Sequence, residues 1–198
     1  GSTGSWNRSV FQTAMAVQAL YAGHIQTDLE VDVVDLSVTP FPVVAIPADG
    51  TISAQVWNHG ETAVSPSAVP ARLTRETPRE LAHEEIFEII DRFAAAALRV
   101  KKAGFDAVEV LAGTGYLISS FLSPLTNHRT DEWGGSIENR MGFGIQVIKA
   151  IRERTGEKFP LIVRMNGNDL MEGGVDRKTL QLFAQKLVEA GADALNIN

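Results

Sequence analysis

Apolar residues in this chain recur at helical spacing in some stretches and at alternating spacing in others, and the two patterns take turns. Ile86, Ile89, Ile90, Phe93 and Ala97 mark one helix face, Phe143, Val147, Ile148 and Ile151 a second, and Leu180, Phe183, Ala184, Leu187 and Val188 a third. The pattern predicts helices over 83–102, 136–155 and 176–190, and strands over 51–57, 106–111, 161–166 and 194–198. Gly104, Gly156 and Gly191 stand as helix stops, and Asp176 as a helix cap. Thr77-Pro78-Arg79-Glu80 has the form of a capping box with proline at the first helical position. Residues 61–75, with Pro66 and Pro70, read as a loop. Strands separated by helical segments imply βαβ units and a parallel sheet.

The first fifty residues are less regular. Residues 9–22 place Phe11, Met15, Ala19 and Ala22 on one helical face, and 31–38 and 41–46 have strand-like content interrupted by Pro40 and Pro42. The reading is an unassigned segment over 1–50 followed by an α/β unit over 51–198.

Composition narrows the function classes. A length of 198 residues favours one domain, and 44% hydrophobic content is enough for a packed core. The net charge of −6 argues against nucleic acid and against an anionic membrane surface. No run approaches the ~18 apolar residues that span a bilayer. The start, GSTGSWNRS, lacks a basic-then-apolar leader, so a cytoplasmic setting is expected. The absence of cysteine excludes disulfides, a thiolate nucleophile and a cysteine-held iron–sulfur cluster. His24, His59, His83 and His128 show no paired ligand spacing, so no metal site is expected.

Alternation along the predicted strands sorts the side chains. Ser53, Gln55 and Trp57, then Glu109 and Leu111, then Ile162, Arg164 and Asn166, then Asn196 and Asn198 share the face away from the helices; Leu195 and Ile197 face the helices. Gln55, Glu109, Arg164 and Asn196 therefore converge. Charges inside strands are costly unless paired, so Glu109 and Arg164 are expected to form a buried ion pair.

The stretch FLSPLTNHRTDEWGGSIENR, residues 121–140, lies between a strand and a helix. It closely resembles the equivalent loop of the Old Yellow Enzyme family of NADH:flavin oxidoreductases. The resemblance implies a (β/α)₈ TIM-barrel fold that holds FMN, takes its electrons from NAD(P)H and reduces an activated alkene. The patterns AQVW and VRMN are similar to the family's flavin-contacting glutamine and arginine, which implies that Gln55 and Arg164 hold the flavin. Arginine presents fixed donors and a permanent charge, and glutamine both a donor and an acceptor.

Two departures qualify the resemblance. Where most members carry a His-x-x-His or His-x-x-Asn pair, this chain has Leu111-Ala112-Gly113-Thr114, and leucine cannot donate a hydrogen bond. Gly115-Tyr116-Leu117 resembles instead the subgroup similar to 2,4-dienoyl-CoA reductase, in which the tyrosine is a proton donor. The resemblance makes Tyr116 the candidate catalytic residue, with a packing tyrosine as the alternative. The second departure concerns phosphate, which such barrels hold after the seventh and eighth strands. The Gly173-Gly174 turn is flanked by Glu172 and Asp176, which would repel it. Arg129, Asp131, Glu132 and Arg140 are expected to shape the signature loop as an ion-pair and backbone hydrogen-bond network rather than to act on substrate.

A complete barrel of this type takes ~250 residues, with ~200 as a lower bound. The reading is a partial barrel carrying the third to sixth strand units. Its open edges are expected to be filled by 31–46, by oligomerisation or by another chain. The functional expectation is an FMN-dependent ene-reductase-type oxidoreductase, or a part of one, acting on a small-molecule substrate. The alternatives are a catalytically inert barrel remnant serving as a structural or assembly subunit, and a flavin-free barrel enzyme.

Overall fold

The computed structural model describes residues 63–71 and 75–198. The predicted strand over 51–57, with Gln55, and the elements expected in 9–22, 31–38 and 41–46 lie outside the described residues.

The described elements alternate as the periodicities require. After the short strands β1 (Val64–Ser65) and β2 (Arg79–Glu80) come α1 (His83–Lys102), β3 (Val108–Leu111), α2 (Leu117–Leu122), α3 (Ile137–Thr155), β4 (Leu161–Met165), α4 (Arg177–Glu189) and β5 (Ala194–Ile197). β3, β4 and β5 form a parallel sheet in chain order, with Val108 opposite Leu161 and Ile162 opposite Ala194. Val108, Val110, Leu161, Val163 and Met165 are fully buried on one face beneath the helices. The other face carries Glu109, Ile162, Arg164 and Asn196. Sequential order with one covered face is the arrangement of a barrel wall, not of a doubly wound sheet, whose helices cover both faces. The described residues do not close a barrel.

Aromatic and aliphatic side chains join the helices. Phe143 of α3 stacks on Phe121 of α2 at 4.2 Å and meets Phe93 of α1 edge-on. α2, α3 and α4 meet at Gly144, where an added Cβ would lie 2.7 Å from the Phe183 ring and 2.9 Å from Ile118. At the amino end of the sheet, the buried Arg152 donates to the carbonyls of Gly156, Phe159 and Gly191 and to Asp193. The same Asp193 oxygen accepts the Leu161 N–H at 2.8 Å, so one arginine ties the starts of β4 and β5 together.

Several expectations change. The capping box over 77–80 does not form. The N–H groups of Arg79 and Leu81 donate instead to the carbonyls of Ala63 and Ser65, at 2.7 and 3.0 Å, and hold 79–80 extended beside β1. The expected loop over 61–75 thus contributes a strand. α1 begins at His83, as its helical spacing predicts, and there the Glu85 carboxylate accepts the Ala82 N–H at 2.7 Å. Arg79 grips that carboxylate through two bonds of 2.7 and 2.8 Å. By contrast, Asp176 caps α4 as expected, accepting the Thr179 N–H at 2.7 Å. Phe121 and Leu122 belong to helix α2, not to a loop, because both are drawn into the core. Ile197 is exposed although its alternation points it toward the helices, because β5 is the edge of the described sheet.

Candidate active site at the carboxyl end of the sheet

The long loops leave the carboxyl ends of β3 and β4, and the chemistry-bearing residues gather there. Register sets Leu111 beside Arg164 and Arg164 beside Asn196. Arg164 is exposed, and its Nε donates to Asn198 Oδ1 at 3.2 Å. Its terminal nitrogens make no hydrogen bond among the described residues, so they remain available to an acceptor.

The expected ion pair of Glu109 with Arg164 is not formed. Glu109, 9% exposed, lies opposite Ile162, one pleat short of Arg164. Arg164 turns away from it and donates onward to Asn198. Glu109 instead accepts a hydrogen bond from Asn196 Nδ2 at 3.0 Å. A neutral amide therefore satisfies the buried carboxylate, and the arginine's charge stays uncompensated by it.

Tyr116 begins α2 immediately after a turn in which Thr114 and Gly115 both have left-handed backbone, with φ of 53° and 80°. Its carbonyl accepts from Ser120 N–H and Ser119 Oγ, both at 2.8 Å, which anchors the main chain. The side chain is 57% exposed, so packing does not account for it among the described residues. Leu111, on the same strand end, is half-buried and presents no donor.

The signature loop is a fastening, as its residue types suggested. Arg129 is buried, grips Asp131 through Nε and Nη2, and donates from Nη1 to the carbonyls of Leu81 and Pro66 at 2.6 and 3.2 Å. That hydrogen-bonded guanidinium holds the Asp131 carboxyl below its usual range, with a further contribution from the Trp133 N–H. Arg140 donates to the carbonyls of Leu122 and Gly135. Asn127 Nδ2 bridges the carbonyls of Phe121 and Trp133, both at 2.7 Å. Glu132 pairs with His83 at 3.3 Å. His83, Asp131 and Glu132 stand close together, with Asp131 engaged by Arg129 and by the Trp133 backbone N–H.

Some residues of the site escaped sequence reasoning. Asp169 accepts from Asn166 Nδ2 at 2.8 Å and from the buried Val175 N–H at 2.9 Å, and Thr114 donates its N–H to Asn166 Oδ1 at 3.0 Å. The spacing Asn166-x-x-Asp169 ahead of a Gly-Gly turn was the available signal, since Asn and Asp both favour such local bonds.

The donor set fits a flavin ring more readily than a flavin phosphate. The terminal guanidinium nitrogens of Arg164, unbonded among the described residues, suit an acceptor edge that becomes anionic on reduction. The amino end of α4 is closed by its own Asp176, with Glu172 nearby, so it offers no phosphate site.

Comparison with known proteins gives a consistent picture. The pattern of the NADH:flavin oxidoreductase / NADH oxidase family matches residues 34–197. A metal reductase of Desulforamulus reducens is 51% identical over 138 residues, covering 70% of this chain and 21% of that protein. An NADPH dehydrogenase of Bacillus velezensis is 44% identical over 132 residues, covering 67% of this chain and 38% of that protein. Among solved structures, a 2-naphthoyl-CoA reductase superposes with a TM-score of 0.66 at 41% identity, over 69% of this chain and 21% of that one. The chain thus spans about a fifth to two fifths of the length of these relatives. The family is one of flavin oxidoreductases, which indicates FMN as the cofactor this part of the barrel serves.

Proposed function

Because the chain belongs to the NADH:flavin oxidoreductase / NADH oxidase family, we propose that it carries the strand ends that orient FMN and direct alkene reduction in an ene-reductase-type oxidoreductase. It supplies the third to sixth strand units of a (β/α)₈ barrel, completed by residues outside 63–198 or by a partner subunit. The observation that carries the reading is the pairing of functions on adjacent strand ends. Arg164 presents on β4 terminal nitrogens that are unengaged among the described residues, and the exposed Tyr116 phenol follows β3.

When bound, FMN supplies hydride transfer from NAD(P)H to the β-carbon of an α,β-unsaturated acceptor. Arg164 holds the pyrimidine edge by charge and hydrogen bonding, and Gln55 is assigned to the same edge. Leu111 leaves the acceptor carbonyl without a donor from β3, which directs the requirement for an acid to Tyr116. Its Oη–H delivers the proton to the α-carbon, and the phenolate recovers one from solvent, to which it is open. A conjugated acyl acceptor is supported by the similarity to 2-naphthoyl-CoA reductase.

Half-reactions test this in the full-length protein. It should purify yellow and bleach with NADH or NADPH, and an enoyl or dienoyl substrate should restore the colour. Tyr116→Phe should slow that second step by ~10²–10⁴, the usual size of general-acid catalysis, and leave the first nearly unchanged. A protein that takes up no FMN would favour the inert barrel remnant. Normal alkene reduction in Tyr116→Phe would remove the tyrosine from catalysis.

A further inference from the structure

The Asn166 carboxamide is bonded at both ends. Its Oδ1 accepts the Thr114 N–H at 3.0 Å and Asn198 Nδ2 at 3.3 Å, and its Nδ2 donates to Asp169 Oδ1 at 2.8 Å. The orientation is settled by chemistry: the Thr114 backbone N–H can only donate, so the atom facing it must be Oδ1 and the NH₂ faces Asp169. Asp169 is itself held through its second oxygen by the N–H of buried Val175, at 2.9 Å. Asn198 passes the chain of bonds on to Arg164 Nε.

The turn that Asn166 grips is the one that launches Tyr116. Thr114 is a non-glycine residue at φ 53°, a conformation that persists only where its surroundings enforce it. Contact is close: a Cβ on Gly113 would lie 2.6 Å from Asn166 Oδ1. The Tyr116 N–H then bonds back to the Gly113 carbonyl at 3.2 Å.

We propose that Asn166 is the positioning residue of this site: oriented by Asp169, it pins the Thr114–Tyr116 turn to the end of β4 and so sets the Tyr116 phenol relative to Arg164. The inference deepens, and rests on, the reading of Tyr116 as proton donor. Only a side chain that accepts at one end and donates at the other can serve Thr114 and Asp169 together. Asn166→Asp keeps the acceptor and sets two carboxylates against each other. Adding Asp169→Asn restores every bond with the roles exchanged: the new amide donates to the new carboxylate and still accepts the Val175 N–H.

The test compares Asn166→Asp, Asp169→Asn and the double exchange in the full-length protein. Amide hydrogen exchange over 114–116, measured without flavin, should quicken about ten-fold in Asn166→Asp, because the facing Asp169 carboxylate repels the new one off the Thr114 N–H, at the scale of one lost hydrogen bond. In the FMN-loaded protein the alkene half-reaction should slow about ten- to a hundred-fold, as misplacement of a reacting group does. Reduction by NAD(P)H should hold, and the double exchange should recover both readouts. Unaltered exchange over 114–116 in Asn166→Asp would overturn the pinning. Faster exchange with undiminished alkene reduction, in a protein where Tyr116→Phe is slow, would overturn the positioning role. If Tyr116→Phe is itself fully active while the exchange pattern holds, the proton-donor reading fails and the pinning stands. Should Asn166→Asp fail to fold, recovery of folding in the double exchange supports the pinning, and continued failure there overturns it.

Discussion

Removing Arg129 should cost this fold more than any catalytic substitution does. In Arg129→Ala the Leu81 and Pro66 carbonyls lose donors at 2.6 and 3.2 Å, and Asp131 loses a two-point guanidinium partner. Each stranded buried acceptor costs ~1–3 kcal/mol. Asp131 is 30% exposed at its side chain, so water recovers part of its loss. The sum is about 3–5 kcal/mol, the range for breaking a buried ion pair from one side. A typical domain has only ~5–15 kcal/mol in total. Arg129→Lys keeps the charge but not the planar fork, and should cost about half as much. The measurement is urea unfolding of the full-length protein, followed by Trp133 fluorescence with Trp6 and Trp57 replaced by Phe, alongside far-ultraviolet circular dichroism. Trp133 is buried in the same loop, and its backbone N–H donates to Asp131 at 3.1 Å, so its ring sits beside the fastening it reports. A loss below ~1 kcal/mol in Arg129→Ala, within the range of exposed ion pairs, would refute the claim that this arginine holds the loop to β1 and β2.

Gly144→Ala should destabilise by about 1–3 kcal/mol through overpacking, because the new methyl meets Phe183 and Ile118 at 2.7 and 2.9 Å; a thermal melt unchanged from the parent would contradict this. Arg164→Ala should weaken FMN binding about ten- to a hundred-fold, the equivalent of ~1.5–3 kcal/mol for a charged hydrogen bond; calorimetric titration showing parental affinity would reassign the arginine. Glu85 has its carboxyl lowered to about 2 by the Arg79 hydrogen bond and the Ala82 N–H. A depressed carboxyl stabilises the fold above its unfolded value, 4.5, and loses that contribution as pH falls toward 2. The urea-unfolding midpoint of Glu85→Gln should therefore fall less steeply than the parent's as pH is lowered between these limits, and equal slopes would show that Glu85 is not linked to folding.

Much of the architecture was legible because burial writes a period into the chain. Ile86 through Val100 repeats at helical spacing because one face of α1 lies against the core, and Val108 and Val110 alternate with Glu109 because one face of the sheet does. The cap at Asp176 is a local bond within a few residues, so local sequence suffices for it. What spacing could not reveal depends on groups far apart in the chain. The strand at 79–80 exists because carbonyls of Ala63 and Ser65 reach it, overriding a good local capping box. Glu109 is satisfied by Asn196, 87 residues away on β5, while Arg164, beside Asn196 in the register, turns to Asn198; alternation does not specify that choice of partner. Likewise the grip of Asn166 on the Thr114 turn joins residues 52 apart, across a loop, two helices and a strand. Periodicity reports which face of an element is buried; which partner it is buried against is decided only when the strands pair and the helices pack.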